Sequence, residues 1–174
     1  QKRKEVALAR KALPLPALKE KLAKAPPTRL FRPAIMRTRA YELHLIGELK
    51  KASPAKGVLR AKFDPAALAR DYERAGARAL SVLTDEKFFQ GSLANLMLAK
   101  QACGLPALRK DFIVDDYQLF ESRMAGADAV LLICRLLPNP KLKQFIQTAR
   151  NLSLAPLVEV HSAAELKRAL DAGA

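Results

Sequence analysis

Four charged residues, Glu48, Lys50, Lys110 and Glu159, stand at the ends of short apolar runs. Carboxylates and ammonium groups gathered in one place are the tools of general acid–base chemistry. A lysine held near other charges is tuned to protonate a carbonyl oxygen, and a carboxylate moves protons in later steps. Lysine also grips a phosphate or carboxylate as a point charge. Side chains alternate along a strand, so Ile46, Glu48 and Lys50 share one face of the first run. By the same parity Leu108, Lys110 and Phe112 share a face running out of another run, and Leu157 and Glu159 share a face of a third, leaving Val158 and Val160 for the opposite side. Any one of these charges alone reads equally as an ion pair at a rim. Two lysines and two glutamates converging from three strands are harder to explain as packing, because unpaired charge in an apolar interior is strongly unfavourable.

The elements that must position them alternate apolar runs with amphipathic helical stretches, the signature of βαβ units and a parallel sheet. Five strands are expected at residues 43–49, 79–84, 105–110, 128–134 and 155–160. Helices are expected at 65–75, 93–102, 116–125, 140–152 and 163–172, with Asp64, Ser92, Asp115 and Ser162 as N-caps. Glycines in RAGARALSV, KQACGLPAL, MAGADAVLL and DAGA are placed to end helices in a left-handed conformation. The repeat, about 25 to 30 residues, suits a (β/α)8 barrel, and a doubly wound open sheet would give a similar rhythm. Ahead of it, residues 2–36 hold a basic helix, a break at Pro14 and Pro16, a second short helix and a loop at Pro26 and Pro27, which together read as a cap.

Composition narrows the classes. At 174 residues, half of them hydrophobic, one domain is the default. The two cysteines, Cys103 and Cys134, have neither CxxC spacing nor histidines beside them, so no disulfide framework and no metal site is expected, and the protein reads as cytoplasmic. No apolar run reaches the 18 or so residues of a membrane span, so no membrane partner is expected. Lys+Arg 31 against Asp+Glu 17 gives a formal +14 and invites a nucleic-acid reading. The basic residues are spread out, however, and no nucleic-acid-binding module accompanies them, so a basic surface that draws in an anionic substrate is preferred. Opening at Gln1 inside a helical pattern suggests that residues once preceded it, and after the helix at 163–172 a further strand is expected.

The stretches ELKKASPAKG (48–57), ALSVLTDEKFFQGS (79–92), LRKDFI (108–113), AGADAVLLI (125–133) and LVEVH (157–161), in this order and spacing, resemble the successive strand-end motifs of the indole-3-glycerol phosphate synthases. The resemblance covers nearly the whole chain. It implies an α/β fold, a (β/α)8 TIM barrel of which about five units are present, with residues 1–36 as an N-terminal helical extension and 37–174 as the partial barrel. It implies a carboxy-lyase of tryptophan biosynthesis that needs no cofactor or metal. Its substrate would be 1-(o-carboxyphenylamino)-1-deoxyribulose 5-phosphate, closed to indole-3-glycerol phosphate with loss of carbon dioxide and water.

By the same resemblance Lys110 would be the general acid and Glu159 the general base of later proton transfers. Glu48 would orient the lysines and support dehydration, and Lys50 would grip substrate phosphate or carboxylate. Ser53 would open a loop over the substrate, Phe89 and Phe112 would pack on its aromatic ring, and Leu83 and Leu131 would line the pocket. His161 is expected to point away from Glu159 and to be structural. Gly47 and Ala55 depart from the family's more usual Ala and Ser, and the motifs of strands 6 to 8 are absent. Five strands of eight leave two unpaired edges, so the chain alone is expected to be unstable, aggregation-prone or stabilised by another copy of itself, whereas the complete protein would be a monomer or weak dimer. The competing readings are a non-catalytic half-barrel that dimerises along an edge and a basic nucleic-acid binder. A neighbouring enzyme on the same barrel, phosphoribosylanthranilate isomerase, would instead use a Cys and Asp pair.

Overall fold

A computed structural model describes residues 1–23 and 25–174. Three helices come first: α1 (Lys2–Ala12), α2 (Leu15–Leu22) and α3 (Phe31–Ile35). The sheet strands are β1 (Ile46–Leu49), β4 (Ala79–Leu83), β5 (Ala107–Lys110), β6 (Ala129–Ile133) and β7 (Ala155–Glu159), all parallel, in the order β1-β4-β5-β6-β7. Between them run α4 (Pro65–Arg74), α6 (Leu93–Ala102), α7 (Tyr117–Met124) and α8 (Asn139–Asn151), and α9 (Ala163–Asp171) follows β7. Sequential order in space is what right-handed βαβ crossovers produce when each strand joins the last one's edge. The barrel is incomplete: strands β1 and β7 are the two edges of the sheet.

The central strands β4 and β6 are near-continuous apolar runs buried on both faces, whereas the edge strands β1 and β7 leave Ile46 and Leu157 exposed on the inner face. On one face Leu49, Leu80, Val82, Ala107, Val130 and Leu132 merge with the helices into the main core, joined by Leu96, Leu142, Phe145 and Ile146. On the other Ala79, Leu108, Ala129 and Leu131 pack on Phe31 and Ile35, so α3 closes the N-terminal end of the inner face. Helices α1 and α2 lie against α7 through Val6, Leu18 and Tyr117, and the Tyr117 hydroxyl donates to the carbonyl of Ala9 or Leu13. A buried carboxylate fastens the base of the sheet. Asp128 accepts from the amides of Arg29 and Ala107 and from Lys100, at 2.7, 2.7 and 2.5 Å.

The caps behave as their chemistry requires. Asp64, Ser92 and Ser162 accept from the amides of Ala67, Asn95 and Glu165. Asp115 differs in position: α7 begins at Tyr117, and Asp115 accepts the Tyr117 amide from two residues upstream. Gly76, Gly126 and Gly173 are left-handed, but Gly104 is not. There the chain leaves α6 through an extended Cys103, and the Gly104 amide is taken by Glu73. The first strand is shorter than expected, starting at Ile46 rather than 43. Four features had no forecast: α3, the small hairpin of β2 (Ala52–Ser53) and β3 (Gly57–Val58), the short α5 (Glu86–Phe89) and a 3-10 turn at Cys134–Leu136.

Candidate active site

The register of the sheet sets the site. Glu48 is level with Ser81 on β4, Lys110 with Leu83, and Glu159 with Ile133. These residues share the face opposite the helix-side core, and the charged ones occupy the C-terminal ends of their strands. A cleft of about 160 Å³ there is lined by Leu83, Phe89, Lys110, Phe112, Leu131 and Glu159. The adjoining inner face brings Glu48, Lys110 and Glu159 onto one surface with Ser81, Leu108 and Leu157.

Glu48 holds two lysines on its two oxygens. Lys110 Nζ donates to Oε2 at 2.7 Å and Lys50 Nζ to Oε1 at 2.6 Å. Burial pushes the Glu48 carboxyl up, but hydrogen bonds from Lys110 and then Lys50, with their charges, outweigh it and hold the group below its ordinary range. An ionised Glu48 keeps both ammonium groups in place, the arrangement a proton donor beside an anion site requires. Tyr72 steadies the strand from behind, its hydroxyl donating to the Glu48 carbonyl at 3.1 Å.

Aromatic groups form the lip. Phe88 meets Phe112 edge-on with ring centroids 5.9 Å apart, and Phe89 lies tilted to Phe112 at 6.4 Å. Such rings present a wall to a planar aromatic ligand. Asp85 caps α5 by accepting the Phe88 amide at 2.7 Å, and Asp111 accepts the Phe112 amide at 2.8 Å, so a carboxylate fixes each side of the lip.

Of the residues singled out in the sequence, Glu48, Lys110, Glu159, Leu83, Phe89, Phe112 and Leu131 come together. Lys50 reaches the group only through Glu48. Ser53 sits in the hairpin beyond β1, its hydroxyl accepting the Lys56 amide at 3.3 Å, and it lines neither the cleft nor the inner face. The expectation for His161 needs correction. Strand β7 ends at Glu159, alternation ends with it, and the imidazole turns back to place Nε2 2.8 Å from Glu159 Oε1. Ile133, two residues beyond Leu131, also lines the cleft, as strand parity could have indicated. Asp85 and Asp111 line it too; both lay inside the recognised motifs, yet only the fold shows that they hold its walls.

A parallel β/α sheet with acid–base groups collected at its C-terminal strand ends defines the class, a TIM-barrel protein with its site on the strand-end face. A model of the indole-3-glycerol phosphate synthase family matches residues 1–174. The indole-3-glycerol phosphate synthase of Laribacter hongkongensis is 51% identical over 170 residues, covering 97% of this chain and 65% of its own length. That of Burkholderia multivorans is 52% identical with the same coverage. That of Microcystis aeruginosa is 49% identical over 166 residues, 95% of this chain and 56% of its own. The chain therefore belongs to the indole-3-glycerol phosphate synthase family, and it spans 56–65% of the length of these relatives. Among solved structures, a mandelate oxidase variant with (S)-mandelic acid superposes with a TM-score of 0.56 at 14% identity, over 73% of this chain and 46% of its own; the likeness is one of fold. Among the described residues no helix is long and apolar enough to cross a membrane.

Proposed function

We propose that the protein to which this chain belongs is an indole-3-glycerol phosphate synthase. It closes the ring of 1-(o-carboxyphenylamino)-1-deoxyribulose 5-phosphate, releasing carbon dioxide and then water. The observation that carries this reading is the pair of lysines held on one carboxylate, with Lys110 and Glu159 lining a single aromatic-lipped cleft.

In this reading Lys110 protonates the ribulose carbonyl oxygen while the anthranilate ring carbon attacks the carbonyl carbon. Loss of the carboxylate as carbon dioxide restores the electron pair to the ring. Elimination of the new hydroxyl as water, with a proton removed, completes the indole. Glu159 serves as base in these later transfers, and Glu48 orients both lysines and supports the dehydration. Lys50 grips an anionic group of the substrate, and Phe89, Phe112, Leu83 and Leu131 hold the aromatic part. Ser53 belongs to the loop that would cover the substrate. A net charge of +14 favours the approach of such a polyanion. We place the enzyme in the cytoplasm, acting without nucleic acid, as a monomer or weak dimer when complete. Residues 1–36 are assigned as an extension and 37–174 as barrel.

The test is Lys110→Ala in the full-length protein. Formation of indole-3-glycerol phosphate should fall by about a hundredfold or more, the scale of lost general acid catalysis, with the circular dichroism spectrum unchanged. Retained turnover would remove Lys110 from the acid role.

A further inference from the structure

Behind the cleft, on the helix side of the sheet, lies a charge network that the reaction does not use directly. Its centre is Lys2, from the first turn of α1. Lys2 Nζ lies 2.8 Å from Asp85 Oδ2, 2.9 Å from Asp111 Oδ1 and 2.8 Å from Glu5 Oε2. The two aspartates are almost fully buried, with side chains 2% and 1% exposed, and Lys2 itself is 14% exposed. Asp111 also accepts from Arg109 at 2.9 Å and from the Thr84 hydroxyl at 2.7 Å, and Arg109 reaches Glu121 on α7 at 2.8 Å.

The placement of the two aspartates gives the network its meaning. Asp85 caps α5, the turn that carries Phe88 and Phe89, and Asp111 directly follows Lys110 and fixes the amide of Phe112. One ammonium group from the N-terminal helix thus ties the segment after β4 to the segment after β5. Burial disfavours the Lys2 charge, yet the charge of Asp111 and hydrogen bonds to Asp85, Glu5 and Asp111 more than offset it, carrying the group above its usual range. Without Lys2, two buried carboxylates from adjacent loops would face each other with one cation fewer, and like charges at close range push apart.

We propose that Lys2 is a positioning residue: by bridging Asp85 and Asp111, it makes α1 a clamp that sets the spacing between Lys110 and the Phe89 wall. The proposal deepens the synthase reading and rests on it for its kinetic arm. It is tested in the full-length protein with Lys2→Gln and Lys2→Met, which keep the stem's bulk without the charge, and with Lys2→Arg, which restores it. Displacement of a reacting group by a fraction of an ångström to 1 Å costs roughly ten- to a hundredfold in rate. The neutral variants should therefore lose about tenfold or more in kcat with KM within about twofold, and Lys2→Arg should recover most of it. Independently of turnover, exchange of the Phe88 and Phe112 amides should quicken in the neutral variants by about tenfold.

Unchanged kcat and unchanged exchange in folded neutral variants overturn the proposal. So does failure of both neutral variants to fold while Lys2→Arg folds with full activity, which assigns Lys2 to stability alone. A wild-type protein without synthase activity overturns the functional reading, and the exchange measurement then still decides whether Lys2 holds the two segments.

Discussion

Gly47 stands where the family resemblance leads one to expect alanine, and the structure leaves no room for a side chain at this position. A Cβ on Gly47 would stand 2.5 Å from Tyr72 Cγ and within 2.8 Å of two further ring carbons. Ordinary carbon contacts lie near 3.5–4.0 Å, so the ring would have to retreat by about 1 Å. Tyr72 has little room to do so, since its hydroxyl is tied to the Glu48 carbonyl and its ring packs on the main core. Overpacking of this kind costs about 1–3 kcal/mol, against which alanine in place of glycine within a strand returns about 0.5–1 kcal/mol. The expected net cost of Gly47→Ala in the full-length protein is therefore about 1–2 kcal/mol, or roughly 2–8 °C in Tm for a protein of this size. Urea unfolding followed by circular dichroism measures it. Pairing Gly47→Ala with Tyr72→Leu should relieve the clash, so the double variant should be more stable than the sum of the single effects by about 1 kcal/mol. A neutral or stabilising Gly47→Ala, or strictly additive effects, would refute the argument.

Two further expectations follow from the charges. Glu48 and Asp111 are both held below their ordinary values of 4.5 and 3.8. In each, burial acts in the opposite direction, but the neighbouring cations outweigh it: Lys110 and Lys50 at Glu48, Arg109 and Lys2 at Asp111. A depressed folded-state value means stability that is present above the unfolded value and lost as pH falls through the folded one. Urea midpoints should accordingly be flat near neutrality and decline below about pH 4.5, and a midpoint that rises on acidification would contradict the ion pairs. Asp128→Ala removes three hydrogen bonds and leaves the Lys100 charge, 12% exposed, without its carboxylate. Its cost should be about 3–5 kcal/mol by thermal or urea denaturation, and a loss under about 1 kcal/mol would show that the base of the sheet is held otherwise.

Much of this molecule is legible in its residues. Apolar runs alternating with amphipathic stretches place all five sheet strands along the chain, because the two kinds of element bury their residues with different periods. The capping side chains of Asp64, Ser92 and Ser162 are equally local, each depending on an amide three residues away. Strand parity alone directs Glu48, Lys110 and Glu159 to one face, since a period of two needs no knowledge of what lies opposite.

Parity holds only while the strand lasts, and there the tertiary structure takes over. His161 lies beyond the end of β7, so its return to Glu159 depends on the path of the following turn. The bond from Lys110 to Glu48, on the oxygen opposite the one Lys50 holds, joins residues 62 positions apart through the register of three strands. The void that only glycine fits at position 47 is made by Tyr72 from the following helix. The link from Lys2 to Asp85 and Asp111 joins the first helix to segments near and beyond the middle of the chain. Local sequence sets each residue's element and face, because those depend on near neighbours. Which charges meet is decided by packing among distant segments, where the balance of desolvation and attraction exists only once the chain has folded.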